Sequence, residues 1–173
     1  GEQPHPDASI LPIWAMERAK RATSKKEIVS LIREYDLVRE CIPTQWLTEP
    51  DVWEALLERM PLTAMIRNLG VMTRIELLEP LSSVVKHVVD TLGDVDRIHK
   101  AKVHPMTILV ALKTYASGKG DKSNKIWKPV PQIIDVLDEA FYLAFNNVES
   151  TGKRWVLGID VSGSMSASIA KTS

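Results

Sequence analysis

The sequence predicts a mainly α protein, an α-solenoid of helix pairs that leads at its carboxyl end into the start of an α/β unit. Three observations predict it. Helix start and stop signals recur along residues 1–150. Between them, apolar residues fall at helical spacing and make one stripe per segment, so each segment needs a neighbour to bury it. A run of β-type residues appears only late, from Arg154 to Ile159.

The segments follow in order. Asp7 or Ser9 can cap a first helix with Pro12 in its opening turn, running through Trp14 and Met16 to about Arg21. Ser24-Lys25-Lys26-Glu27 is a capping box, followed by Ile28, Leu31, Ile32 and Tyr35 at helical spacing. Thr48-Glu49-Pro50-Asp51 opens a helix with Val52, Trp53, Leu56, Leu57 and Met60 inward. Pro61 starts the next, with Leu62, Met65, Ile66 and Leu69 inward and Gly70 marking the approach to its end. Pro80 and Ser82 or Ser83 precede the helix of Val84 to Val89, which Gly93 closes. Asp94 caps a short helix to about Ala101, and Pro105 begins another from Met106 to Tyr115. Pro131 lies in the first turn of a last helix, with Ile133, Ile134, Leu137, Phe141 and Phe145 inward. Helix pairs of this length suit HEAT-like repeats, although no clean repeat shows in the letters, and a plain helical bundle is the alternative.

Composition narrows the function classes. The chain has 173 residues, is 45% hydrophobic and 25% charged, and carries 22 Lys+Arg against 22 Asp+Glu. A globally basic polyanion binder is therefore not indicated, and any such contact must come from local patches. The single cysteine, Cys41, excludes an internal disulfide and a multi-cysteine zinc site. It fits a reducing compartment, and a cytoplasmic protein, present in the nucleus as well, is the expectation. No apolar run approaches the ~20 residues of a membrane span, so no membrane partner is expected. The Pro-rich start, without an initiator Met, reads as a cut inside a longer chain.

Three clusters carry chemistry. Asp160, Ser162 and Ser164 follow the apolar run Arg154 to Ile159 directly. A loop at the carboxyl end of a strand is where open α/β sheets bind ligands. A carboxylate and two hydroxyls are hard oxygen ligands for Mg²⁺, Mn²⁺ or Ca²⁺, whereas the plain alternative is a Ser-rich turn capping a helix. The loop from Gly118 to Lys128 holds Lys119, Lys122, Lys125 and Lys128 against one Asp and carries Trp127. Lysines beside an aromatic suit a phosphate backbone with a stacked base, while the alternative is a solvated loop with Trp127 packed inward. Arg67 and Asn68 are polar residues inside an apolar helix. They either contact phosphate and base, or sit on a solvent face with Arg67 paired to an acid. Arg18, Lys20, Arg21, Lys25 and Lys26 form a second basic cluster that reads most simply as a solvated turn. A hydrolase is not expected. Ser162 and Ser164 have no histidine nearby in sequence, and no Gly-x-Ser-x-Gly elbow is present.

Taken together, these elements resemble one family. The run from Met60 to Thr73 is similar to the signature helix of the Ro autoantigen (SS-A) family, the TROVE module. Ala101 to Tyr115 is similar to a second family segment. Trp127-Lys128-Pro129, then Leu137 to Tyr142, then Thr151 to Arg154 lead into Asp160-Val161-Ser162 in the family's order. Asp-x-Ser-x-Ser itself resembles the opening of the metal-ion-dependent adhesion site of von Willebrand factor A domains. The resemblance runs from about Glu27 to Met165 and implies residues 1–150 as a partial HEAT-like region and 151–173 as the start of a von Willebrand A-like domain. It implies a ring of helical repeats closed by that domain. It also implies binding of small noncoding Y RNA on the outer surface and of single-stranded 3′ ends of misfolded noncoding RNA in the cavity. That is a ribonucleoprotein role in RNA quality control, with Arg67 and Asn68 facing the cavity. Amino-terminal helices of the family are absent, and so are the later-loop Thr or Asp metal ligands. A Mg²⁺ or Mn²⁺ ion is therefore expected in the complete parent and weakly or not at all here. A protein-interaction module is the alternative, its helical array and metal loop recruiting an acidic partner. The unpaired strand would favour self-association.

Overall fold

The computed structural model describes residues 11–120 and 125–160. Within them lie eight α-helices: α1 (Leu11–Arg21), α2 (Lys25–Tyr35), α3 (Pro50–Leu57), α4 (Leu62–Arg74), α5 (Ser83–Leu92), α6 (Val95–Lys100), α7 (Pro105–Ala116) and α8 (Pro131–Leu143). Three 3-10 turns, Arg39–Cys41, Thr44–Thr48 and Ala144–Asn147, join or extend them, and no capping signature in the sequence announces these.

The helix starts follow the capping logic. The Ser24 hydroxyl accepts the Glu27 N–H at 3.3 Å, that of Ser82 accepts Val85 N–H at 3.1 Å, and Asp94 accepts Arg97 N–H at 3.0 Å. Pro50, Pro105 and Pro131 each open a helix where the missing N–H costs nothing. His104 caps α7 through Nδ1, which accepts the Met106 N–H at 3.1 Å. The candidate caps Asp7 and Ser9 lie outside the described residues.

Packing is mostly between neighbours. α1 packs on α2, α2 on α3 and α3 on α4. In the second half α7 and α8 form the most extensive pair, with α4 and α5 both against that pair and α6 under α8. Trp53, Ile28, Met65, Leu69, Met72, Ile108, Ile133 and Leu137 are fully buried and knit the helices into one apolar core. The mainly α expectation therefore holds. Among the described residues, no helix is long and apolar enough to cross a membrane.

Two expectations are corrected. Gly70 does not stand near the end of α4, because the helix runs on to Arg74. Its reason is a close approach: a Cβ there would lie 2.8–3.0 Å from the six-membered ring of Trp127. Phe145 is half exposed rather than inward. The chain tightens into the 3-10 turn after Leu143, Ala144 takes the buried position, and Asn147 donates to the Ile98 and Val103 carbonyls at 3.1 and 3.0 Å. The run Arg154 to Ile159, expected as a strand without a partner in this chain, is not seen as one. Residues 154–159 form no ladder among the described residues, and Trp155, Val156, Leu157 and Ile159 are exposed. A strand needs a second strand for its N–H and C=O groups, and the described residues hold just one isolated bridge, Lys119 to Ile126.

Candidate functional site

An open, largely apolar groove of about 640 Å³ lies between α4 and α7. Its α4 wall is the stripe Arg67, Gly70, Val71 and Arg74, the i, i+3, i+4, i+7 positions that share one helix face. Its α7 wall is Met106, Thr107, Val110, Ala111 and Thr114, again one face. Met106 and Val110 are 55% and 56% exposed, so the chain leaves apolar surface open here rather than covering it.

One end of the groove is closed by a rigid joint. The Trp127 indole N–H donates to the Tyr115 carbonyl at 3.0 Å, and the two rings stack with centroids 6.2 Å apart. The Trp127 ring edge rests in the notch left by Gly70. The base of the lysine loop is fixed as well: Trp127 N–H donates to the Gly118 carbonyl at 2.9 Å, and Gly120 N–H to the Lys125 carbonyl at 3.2 Å. Gly118 has φ +66°, and a Cβ on it would meet the Trp127 carbonyl at 2.8 Å. Beneath the joint runs a buried polar chain. Val130 N–H donates to the Tyr115 hydroxyl at 3.2 Å, Tyr115 O–H donates to Thr73 Oγ1 at 2.9 Å, and Thr73 O–H donates to the Leu69 carbonyl at 2.9 Å. That direction follows because a carbonyl only accepts, which commits the threonine proton. Burial pushes the Tyr115 hydroxyl above its ordinary pKa, against the opposing pull of its bonds to Thr73 and Val130.

Five of the nine arginines are paired. Arg18, Arg33, Arg39, Arg59 and Arg97 each sit beside a carboxylate. Arg21, Arg67, Arg74 and Arg154 have no ion pair among the described residues, and of these Arg67, exposed, and Arg74, half-buried, rim the groove. Lys125 rims it too. The second basic cluster is largely neutralised: Arg18 meets Glu27 at 3.3 Å, Lys20 meets Glu17 at 2.6 Å, and Lys25 meets Asp51 at 2.7 Å. It behaves as a solvated turn.

The structure thus brings together Arg67, Lys125 and Trp127. It does not bring Asn68, whose side chain donates to the Ala64 carbonyl at 2.8 Å and faces a different cavity lined by Asp36, Arg59 and Met60. Asn68 falls one step further round α4, past the edge of the Arg67–Gly70–Val71–Arg74 stripe, and the bond to Ala64 holds its amide there. Lys119 and Lys128 are exposed beside the groove without lining it, and Lys122 lies outside the described residues. Trp127 packs inward as the joint, and the part of it facing the groove is what remains for a ligand. Of the oxygen set, Asp160 is described and exposed, while Ser162 and Ser164 lie outside the described residues. No group of three or more His, Cys, Asp or Glu with metal-binding geometry exists among the described residues. Arg74, Met106 and Val110 are site residues that motif reasoning missed. The i+7 spacing from Arg67 is the signal that marks Arg74.

Residues 34–114 match the TROVE domain model. The chain is 40% identical over 161 residues to the Caenorhabditis elegans RNA-binding protein RO60, covering 92% of this chain and 25% of that protein. It is 37% identical over 149 residues to the Deinococcus radiodurans RNA-binding protein RO60, covering 86% of this chain and 28% of that protein. A crystal structure of the Deinococcus radiodurans RO (RSR) protein superposes with a TM-score of 0.76 at 34% identity, over 86% of this chain and 30% of the other. The chain spans about a quarter of the length of the curated relatives it matches.

Proposed function

This chain belongs to the Ro/TROVE family, and on that premise we propose that it is an RNA-binding scaffold whose α4–α7 groove and adjoining lysine loop contact noncoding RNA. The observation that carries the reading is the pair Arg67 and Arg74, without an ion pair among the described residues, at the rim of an open apolar groove. Guanidinium groups hold phosphate through two parallel N–H bonds, and apolar walls accept unstacked bases. The named relatives are RNA-binding proteins, which supports the class of partner. Y RNA and the single-stranded 3′ ends of misfolded RNA are the RNAs we propose, in a cytoplasmic ribonucleoprotein. The groove offers cations beside apolar walls, which serve binding.

The loop lysines test the electrostatic part. Replacing Lys119, Lys122, Lys125 and Lys128 together with Gln is expected to weaken binding of single-stranded RNA at low salt. The plot of log affinity against log salt should flatten by roughly 0.7 for each phosphate that the lysines no longer neutralise. A gel shift across salt concentrations reads both quantities. Unchanged affinity with an unchanged slope would mark these as ordinary surface lysines.

A divalent-metal role for Asp160, Ser162 and Ser164 remains a proposal beside this one. The described residues supply one ligand of the three, and the RNA reading does not depend on it. Asp160 carries the formal charge of the motif, so in the complete parent Asp160→Ala should remove most Mg²⁺ or Mn²⁺ uptake measured by calorimetry, and Ser162→Ala less. Equal uptake in wild type and D160A would make Asp160 a structural loop acid.

A further inference from the structure

We propose that the α4–α7 groove is a pocket for a single unstacked nucleotide, its base on the apolar floor and its phosphate between Arg67 and Arg74. The inference rests on the RNA reading above and specifies what part of the ligand this site takes. Size comes first. About 640 Å³ lies within the ~300–1,000 Å³ of small-molecule pockets, and an unpaired base can enter it without the cost of breaking a duplex. The walls fit next. Met106 and Val110 on α7 face Ile66, Leu69 and Val71 on α4, and a thioether beside an aromatic ring is a favourable contact.

The charges are placed for one phosphate group. Arg67 and Arg74 are seven residues apart on one stripe, about two turns or ~10.5 Å along the axis, and both line the groove, within the span that two long side chains can bridge to one phosphate. Five arginines are held by carboxylates, and of the four without an ion pair among the described residues these two line the groove. The end wall is already built: Trp127 is pinned by its bond to Tyr115 and by the Gly70 notch, so binding need not order it. An acidic peptide would satisfy the arginines and leave Met106 and Val110 without a flat partner, which favours the nucleotide.

The test uses the whole chain and calorimetry with a nucleoside 5′-monophosphate, the matching nucleoside, inorganic phosphate, a short single-stranded RNA and an oligoglutamate peptide. The monophosphate is expected to bind roughly tenfold or more tightly than either the nucleoside or phosphate, since both halves of the site contribute. Arg67→Gln with Arg74→Gln should lower monophosphate affinity by roughly tenfold or more and leave nucleoside affinity nearly unchanged. Val110→Asn, at an exposed position that does not threaten folding, should weaken the nucleoside and spare phosphate. Phosphate binding as tightly as the monophosphate would overturn the pocket in favour of a bare anion patch. Oligoglutamate displacing the monophosphate at equal concentration would overturn it in favour of a protein partner. Single-stranded RNA binding that persists with no monophosphate binding would sink the pocket and leave the RNA reading standing. Loss of both would sink the two together.

Discussion

Trp53→Ala is expected to lower the melting temperature by roughly 6–20 °C, followed by far-UV circular dichroism. Trp53 is fully buried at the centre of α3, and its indole N–H donates to the Leu47 carbonyl at 2.9 Å. The Arg39 guanidinium lies 5.9 Å from its ring centroid. Removing the ring leaves a cavity, strands the Leu47 carbonyl and frees the 3-10 turn Thr44–Thr48 that it anchors. Large aromatic truncations in a core cost about 3–5 kcal/mol, against a typical total stability of about 5–15 kcal/mol. Trp46→Ala is the control, because Trp46 is half-buried and its indole nitrogen has no hydrogen-bond partner. It should cost clearly less. Equal small shifts from both would mean that Trp53 does not organise the amino-terminal half.

Tyr115→Phe is expected to cost about 1–3 kcal/mol, or roughly 2–12 °C, although it removes a single oxygen. The ring stays, so the stack on Trp127 and the groove wall stay. What is lost is the middle of the chain from Val130 N–H through Tyr115 to Thr73, which leaves a buried N–H without an acceptor. The variant also changes pH dependence. Burial raises the Tyr115 pKa above that of the unfolded chain, so the unfolded state gives up this proton first. Stability from this group is complete below the unfolded value near pH 10 and falls as pH rises through the higher folded value. Tyr115→Phe should therefore flatten the alkaline arm of the stability curve while lowering its plateau. Denaturant melts between pH 8 and pH 11 separate the two effects. A plateau that drops with an unchanged alkaline arm would show that another group titrates there.

Much of the fold was legible in the letters because helix ends are local events. Ser24, Ser82 and Asp94 cap because their side chains reach an N–H three residues on, and Pro50, Pro105 and Pro131 open helices because they lack one. The apolar stripes likewise named the core of α2, α3 and α4. Part of the site was legible too: Arg67, Lys125 and Trp127 stood out as a buried-helix cation and a lysine-flanked aromatic, and they meet at one groove.

The remainder depended on which stripe meets which. Sequence period places Arg67, Gly70 and Arg74 on one face of α4, but only packing decides that this face looks across at Met106 and Val110. The same step separates Asn68 from its neighbour and turns Gly70 from a helix terminator into the seat of Trp127. The run from Arg154 to Ile159 marks the opposite limit. Its composition specifies a strand, yet a strand exists only when another pairs with it, and the described residues hold no such partner. The sequence by itself determined the helices and their caps, whose hydrogen bonds close within a few residues. Tertiary structure alone decided the groove, the Tyr115–Trp127 joint and the unpaired run, because each is set by groups far apart in the chain.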